Sequence, residues 1–551
     1  MAEQSPGPQT VIANQCHLQR TDIRKVDQPI HPAMKLSTLV HSPLTGLRTR
    51  RKASTAFIAV AWLGFTSAAI FAAPENPKPA TDGQITDAVN CRLFTDAALL
   101  NMEIYAKASN GIVTLAGTAD HLIAKERAVK LAQTLRGVRG VVNTITLDIP
   151  LVPDAELHKK VQSALRFDAA TDCYEIQPSA KDGVVTLIGT VQSYYEKQLA
   201  EFVVKSVKGV RELIDNITVQ TKDDRPDAEI LTEVKRTIEN DVWLDPNFIS
   251  TAVKEGNVTL TGAVGSSAQH ERASMVAWTA GVKSVNVDRL QIEPWARSAG
   301  QRSETVVLKD DSRIKQAVKD GFVIDPRVYA FNPSVEVQLG VVTLSGVVDN
   351  LKAKRAAEQD AKNTTGVWRV KNLLKVRSAL PLSDNVVSQS VTAALFLNPI
   401  VASHEITATT RRGVVTLTGT VDTFFEKAEA EDIASRANGV LDVTNHLAVN
   451  SPAVAHYDTG FDSHWGYQPF YLNRLPYGSP WPYVGDREVK YDIEDAFYWS
   501  PWVERDDITV SVENGIAKLT GKADGWFAYH KATEIAYQAG ANQVFNNIIV
   551  E

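Results

Sequence analysis

The chain has 551 residues, 44% apolar and 22% charged, which suffices for several packed domains and excludes a disordered polymer. Its net charge of -6 arises from acidic and basic residues interspersed along the length, so no extended positive surface for a nucleic-acid backbone is implied. Three cysteines, Cys16, Cys91 and Cys173, are too few and too scattered for a disulfide framework or a zinc site, and the spacing of Cys91 and Cys173 does not favour a bridge over two packed thiols.

In chain order, the first distinctive feature is a basic cluster, Arg48, Arg50, Arg51 and Lys52, followed by an uncharged apolar run from Ala53 to Ala73 that ends in small residues. Charge, apolar run and small residues in that order predict a signal peptide, cleaved after Ala69 or Ala72. The competing reading is an uncleaved anchor, since about 20 apolar residues span a bilayer. Both readings put the remaining chain outside the cytoplasm. Met34 offers a second start that would give a shorter leading segment.

From residue 82 onward one pattern recurs. "GVVTLTGTVD" from Gly413 reappears as "GIVTLAGTAD" from Gly111, "GVVTLIGTVQ" from Gly183, "GNVTLTGAVG" from Gly256, "GVVTLSGVVD" from Gly340 and "GIAKLTGKAD" from Gly515. A later Gly-Val step follows at 26 residues in the copies starting at Gly111, Gly183, Gly340 and Gly413, and a glycine at 25 in the other two. A fixed period of this kind marks repeated structural modules.

Each module reads as helix, strand, strand, helix, strand. An amphipathic stretch such as "DNVVSQSVTAALFL" from Asp384 has helical spacing, and "HEITATT" from His404 then alternates as a strand. The first glycine is preceded by Asn110, Asp182, Glu255, Arg412 or Asn514 in five copies, which is a hairpin signal. The second glycine marks the end of the next strand. Four residues on, Ser193, Ser266, Asn350 and Thr423 are N-cap types, with Glu196, Gln269 and Glu426 completing capping boxes. Eleven residues past the second glycine stands Ala128, Ala200, Ala273, Ala357, Ala430 or Ala532, with a second small residue one turn later in five copies and Val204 in the other. Such a stripe lets a helix backbone approach the sheet.

The order of elements, "nGvVtLtG", the Ala-rich helix and "GV..V.N" together resemble the BON domain (bacterial OsmY and nodulation domain). The chain is expected to be α/β (α+β): a tandem array of six modules, each with two helices packed on a three-stranded mixed sheet, in an elongated or arched arrangement. The modules are placed at 82–149, 154–220, 226–292, 309–377, 383–449 and 488–551, with an N-terminal extension at 1–81 and an aromatic, Pro/Gly-rich linker at 450–487. The resemblance implies export in Gram-negative bacteria, a periplasmic location or inner-membrane attachment if residues 53–73 stay on, and a role in envelope integrity and osmotic stress. It implies association with a phospholipid surface, or alternatively an adaptor for envelope proteins without lipid contact. It implies no catalytic residues and no cofactor. The copies differ at His121, in the cap position of the first, and at Lys518, where the others carry Thr.

Other chemistry finds little support. A phosphate loop needs four residues between glycines and then Lys-Ser or Lys-Thr, whereas here five β-branched or apolar residues intervene and no such pair follows, so nucleotide is not an expected partner. His446, His456 and His464 near Asp462 have spacings of ten and eight that match no single helix or strand face, so no metal set is assigned. The strongest break in the repetition is aromatic. Trp465, Tyr467, Phe470, Tyr471, Trp481 and Tyr483 in the linker, with Trp499 and Trp502 after it, have apolar rings with polar edges that suit a lipid or partner surface. The alternative is that they fill gaps against the fifth and sixth modules.

Overall fold

Each module closes through the same two-residue turn. At Asn110-Gly111 both residues have positive φ, 53° and 74°, and Arg412-Gly413 repeats those values. This is the type I′ geometry, whose twist matches that of the strands it joins. The computed structural model describes residues 80–449 and 486–550, apart from 97, 100–101, 172–173, 221–224, 294–295, 297–309, 368, 379–381, 403, 501, 504–506, 540 and 542. The apolar run at 53–73 and the linker at 450–485 lie outside the described residues.

Module 5 shows the plan: helix Asp384–Leu397, strands Ile406–Arg411 and Val414–Val421, helix Phe424–Arg436, then a third strand in two pieces, Asp442–Asn445 and Ala448–Val449. The first two strands pair antiparallel and the third joins the second in parallel, so the repeated motif forms the central strand. All six modules share this order. Val415 and Leu417 point inward and are fully buried against Val387 and Val391 of the first helix and Ala430 and Ala434 of the second. The alanine eleven past the second glycine is fully buried in every module. With no side chain beyond Cβ, it seats the helix directly on the sheet.

A carboxylate clamp on the turn is the feature that the repeat pattern does not announce. Asp384, first residue of its helix, accepts hydrogen bonds from the amides of Arg412 (2.8 Å) and Gly413 (3.0 Å). Asp82, Asp227, Asp311 and Asp486 do the same for both turn amides of their own modules, and Asp154 accepts from Asp182. The glycine turn therefore does gather an anion, which is the protein's own aspartate. The two amides hold the Asp82 and Asp384 carboxyls below the ordinary carboxylate range.

Two expectations need correction. The second glycine does not end its strand in five of the modules: Gly117, Gly189, Gly262, Gly419 and Gly521 lie within it. A Cβ at Gly419 would stand 2.2 Å from the Glu405 carbonyl oxygen, so the neighbouring backbone takes the space of a side chain. Of the expected capping boxes, those at Ser193/Glu196 and Thr423/Glu426 form, whereas Gln269 turns its Oε1 to the amide of Gly265.

Nor are the modules strung in an elongated or arched line. In such an array only sequential neighbours touch, but module 2 bonds to module 5 through Lys208 N to Leu397 O (2.8 Å) and Ala169 N to Arg436 O (3.2 Å). Modules 3 and 4 repeat the first of these bonds at equivalent positions, Thr365 N to Asn240 O (3.0 Å). At the same place in modules 1 and 6, the Arg136 guanidinium lies 4.8 Å from the centre of the Tyr498 ring, and Trp499 packs on the core of module 1. The pairs are thus 1 with 6, 2 with 5 and 3 with 4. Charge pairs and aromatic rings on the helix surfaces line these seams.

Candidate functional site

The seams between modules hold the densest chemistry among the described residues. One position recurs in them, six residues past the second glycine on the second helix. In module 4 it is Lys352, whose Nζ lies 2.6 Å from Asp432 of module 5. In module 5 it is Phe425, under the Arg127 guanidinium of module 1 at 4.7 Å. In module 6 it is Phe527, whose ring lies 6.2 Å from that of Trp243 in module 3. In module 2 it is Tyr195, which donates to the carbonyl of Met275 in module 3 (3.0 Å). These residues share a place and not a type, so the repeat gives no sign of them.

The junction of modules 2, 4 and 5 is an ionic network. Asp432 accepts from Lys352 and from Arg436 (2.6 Å), while Arg355 reaches Glu431 (2.7 Å), all buried. Asp168 of module 2 faces Arg436 and Lys352, and burial pushes its carboxyl up against their pull. Burial also lowers Lys352 to about 8, against the attraction of Asp432. Arg436 further lies 5.1 Å from the Phe202 ring of module 2. Such pairs specify which surfaces meet, because any other pairing leaves a buried charge alone.

Modules 2, 3 and 4 enclose a cavity of about 100 Å³ lined by Tyr195, Asp241, Arg272, Asp325 and Asp360, among others. Arg272 is ion-paired with Asp241 at 2.6 Å, and Arg327 pairs with Asp325. Asp360 Oδ2 has no hydrogen-bond partner among these groups and is shielded from water. Burial, then the charge of Asp325, drives its carboxyl well above the usual range. In the same seam between modules 2 and 3, Tyr194 stacks on Trp278 at 4.2 Å and 5° between planes.

Of the aromatic residues singled out by sequence, Trp465, Tyr467, Phe470, Tyr471, Trp481 and Tyr483 lie outside the described residues. Trp499 is half-buried on the core of module 1, and Trp502 meets Trp243 of module 3 at 4.1 Å. Those two rings stand at module seams. Cys91 is half-buried and free of a disulfide, and Cys173 lies outside the described residues.

With seams at the helices, several sheets turn large apolar side chains to solvent. Phe545 and Ile549 on the third strand of module 6 (Gln543–Val550) are 50% and 64% exposed, paired with Lys518 and Lys522 on the second (Ile516–Ala523). Tyr105 and Val142 in module 1, and Ile188 and Ile214 in module 2, are exposed likewise. No helix among the described residues is long and apolar enough to cross a membrane.

The BON domain family matches residues 81–148, 153–221, 226–294, 310–378, 383–451 and 485–551. The chain is similar to "Osmotically-inducible protein Y" of Escherichia coli (strain K12), 35% identical over 161 residues, which is 27% of this chain and 80% of that protein. Among solved structures, two of CdsD, a structural protein of the type III secretion system of Chlamydia trachomatis, align with 37% of this chain and 91% and 96% of theirs, at 12% identity and a TM-score of 0.11. Six family matches spanning most of the chain, on six modules of one topology, settle the relationship: the chain belongs to the BON-domain family.

Proposed function

We propose that the chain is an exported, non-enzymatic protein of the cell envelope that associates with phospholipid surfaces and supports tolerance of osmotic stress. The observation that carries this reading is the exposed apolar and lysine-bearing sheet face, most developed in module 6 at Phe545, Ile549, Lys518 and Lys522. Apolar side chains enter the headgroup region while flanking lysines meet anionic phosphate, a combination suited to lying on a bilayer. Several modules on one chain sum weak contacts into useful avidity. The family membership and the similarity to an osmotically inducible protein support the stress role. The basic cluster and apolar run at 48–73 support export. The aromatic stretch, with Trp465, Tyr467, Phe470, Tyr471, Trp481 and Tyr483, supplies further interfacial anchors in this reading.

Flotation with vesicles of phosphatidylethanolamine and phosphatidylglycerol tests the proposal. The wild-type chain is expected to rise with these vesicles, and the Phe545→Asp/Ile549→Asp variant to rise less. A wild-type chain that stays at the bottom of the gradient contradicts lipid association.

A second reading, an adaptor for envelope proteins, is favoured by the sheet edges. Among the described residues, the outer strands of each module's sheet pair on one side alone. Open strand edges accept an added strand from a partner.

A further inference from the structure

We propose that module 5 carries a divalent transition-metal site made by His404, Asp422 and Glu426. Donor atoms of the three side chains all lie within 4.8 Å of one another. His404 Nε2 and Glu426 Oε2 are 3.3 Å apart. Two donors bound to one zinc ion at about 2.1 Å in tetrahedral geometry stand about 3.4 Å from each other, so this pair already has the separation of ligands.

The fold brings the three together from separate places. His404 precedes the first strand of the module and is fixed by its amide to Val401 O (3.1 Å) and by its carbonyl to the Ile406 amide (3.0 Å). Asp422 follows the second strand directly. Glu426 lies in the first turn of the second helix, where Oε2 accepts from the amides of Asp422 (2.8 Å) and Thr423 (2.9 Å). Those amides orient the carboxylate and preorganise it as a ligand, the part played by outer hydrogen bonds in established metal sites. His404 and Glu426 are half-buried and Asp422 is exposed, so an ion can enter from solvent.

The repeat supplies an internal control. Module 2 keeps the cap, with Glu196 bonded to the amides of Gln192 (2.6 Å) and Ser193 (3.3 Å), yet has Tyr174 and Gln192 where module 5 has His404 and Asp422. Capping the helix therefore requires neither of the two extra donors. Counting from the first glycine of each motif, all three donors coincide in module 5 and in no other copy.

The donor set defines the ion. Two carboxylates offset a double positive charge and outweigh the partial positive charge of the helix N-terminus. An imidazole nitrogen beside them selects zinc, nickel or a similar borderline cation over magnesium and calcium, which prefer oxygen alone. Three protein ligands leave a position for water or for a donor from a partner.

Calorimetric titration of the chelator-treated full chain with zinc chloride tests the site, with His404→Ala, Asp422→Asn and Glu426→Gln compared. Glu426→Gln retains an oxygen for the two amides, and circular dichroism of each variant checks that the helices remain. The expected result is one zinc equivalent in the wild type and at least a tenfold loss of affinity for it in each folded variant. Wild-type protein without zinc uptake, or isotherms unchanged in His404→Ala and Asp422→Asn, would overturn the proposal.

Discussion

Lys352 of module 4 and Asp432 of module 5 meet at 2.6 Å with their side chains 8% and 6% exposed, and Arg436 shares the same carboxylate. Neutralising Asp432 removes the carboxylate that both buried cations share. Asp432→Asn is therefore expected to destabilise the chain by about 3–5 kcal/mol, the usual cost of orphaning a buried charge. Lys352→Met, which fills the same space and leaves Asp432 paired with Arg436, is expected to cost less. Urea unfolding of the two variants checks the order, and an Asp432→Asn protein as stable as wild type would contradict it.

The cavity between modules 2, 3 and 4 makes stability depend on pH. Asp360 is faced by Asp325, Arg327 and, across the seam, Arg272. Its folded-state value is raised, so the folded protein holds a proton that the unfolded chain releases near pH 4. Stability from this group is complete below that pH and is lost progressively as pH rises toward the folded value. Glu201, raised to about 7 by burial and then by Asp215, acts the same way between about pH 4 and 7. Asp360→Asn, neutral at every pH, is expected to raise the melting temperature at pH 8 and to have a smaller effect at pH 4. Melting curves at the two pH values decide this; an equal shift at both would remove Asp360 as the titrating group.

The turn clamp has the opposite sign. Amide bonds depress Asp384, so its contribution is present above the ordinary carboxylate range and disappears as pH falls through its lowered value. Asp384→Ala is expected to lower the melting temperature at pH 7, with the gap to wild type narrowing in acid. A gap that widens in acid would count against the clamp.

One turn carries a residue ill suited to its shared geometry. Leu339 holds φ at 50° and is 82% exposed, where other modules place Asn or Asp in three of five cases. A left-handed backbone costs a branched residue roughly 1–2 kcal/mol, and asparagine much of that less. Leu339→Asn is expected to stabilise the chain by about 1 kcal/mol in chemical unfolding, and destabilisation would refute the strain.

The repeat made the module legible because the same physical demand was written six times. Glycine at the I′ turn, the buried alanines and the N-cap residues Ser193 and Thr423 each recur, so their structural duties could be read from spacing. The clamp was harder to see, since Asp384 and Gly413 are 29 residues apart and aspartate at a helix start is already explained by the helix dipole. The seams were invisible for the converse reason. Tyr195, Lys352, Phe425 and Phe527 occupy one position with three chemistries, and what each does is set by a different module. The metal-ligand trio escaped notice similarly: His404 and Glu426 are 22 residues apart and converge only through the strand pairing.

The central claim is that non-neighbouring modules close on one another through their helices, leaving the sheet faces free for an outside surface. The most direct measurement is disulfide trapping of Lys208→Cys with Leu397→Cys, whose backbones are hydrogen-bonded at 2.8 Å between modules 2 and 5. That bond holds the two residues side by side, and a disulfide forms where Cα atoms lie roughly 4.4–6.8 Å apart. Mild oxidation of the full chain is expected to give a bond within the monomer, detected by faster migration without reductant and by a linked peptide in mass spectrometry. Failure to form it, with the double variant still folded, would contradict the closed arrangement.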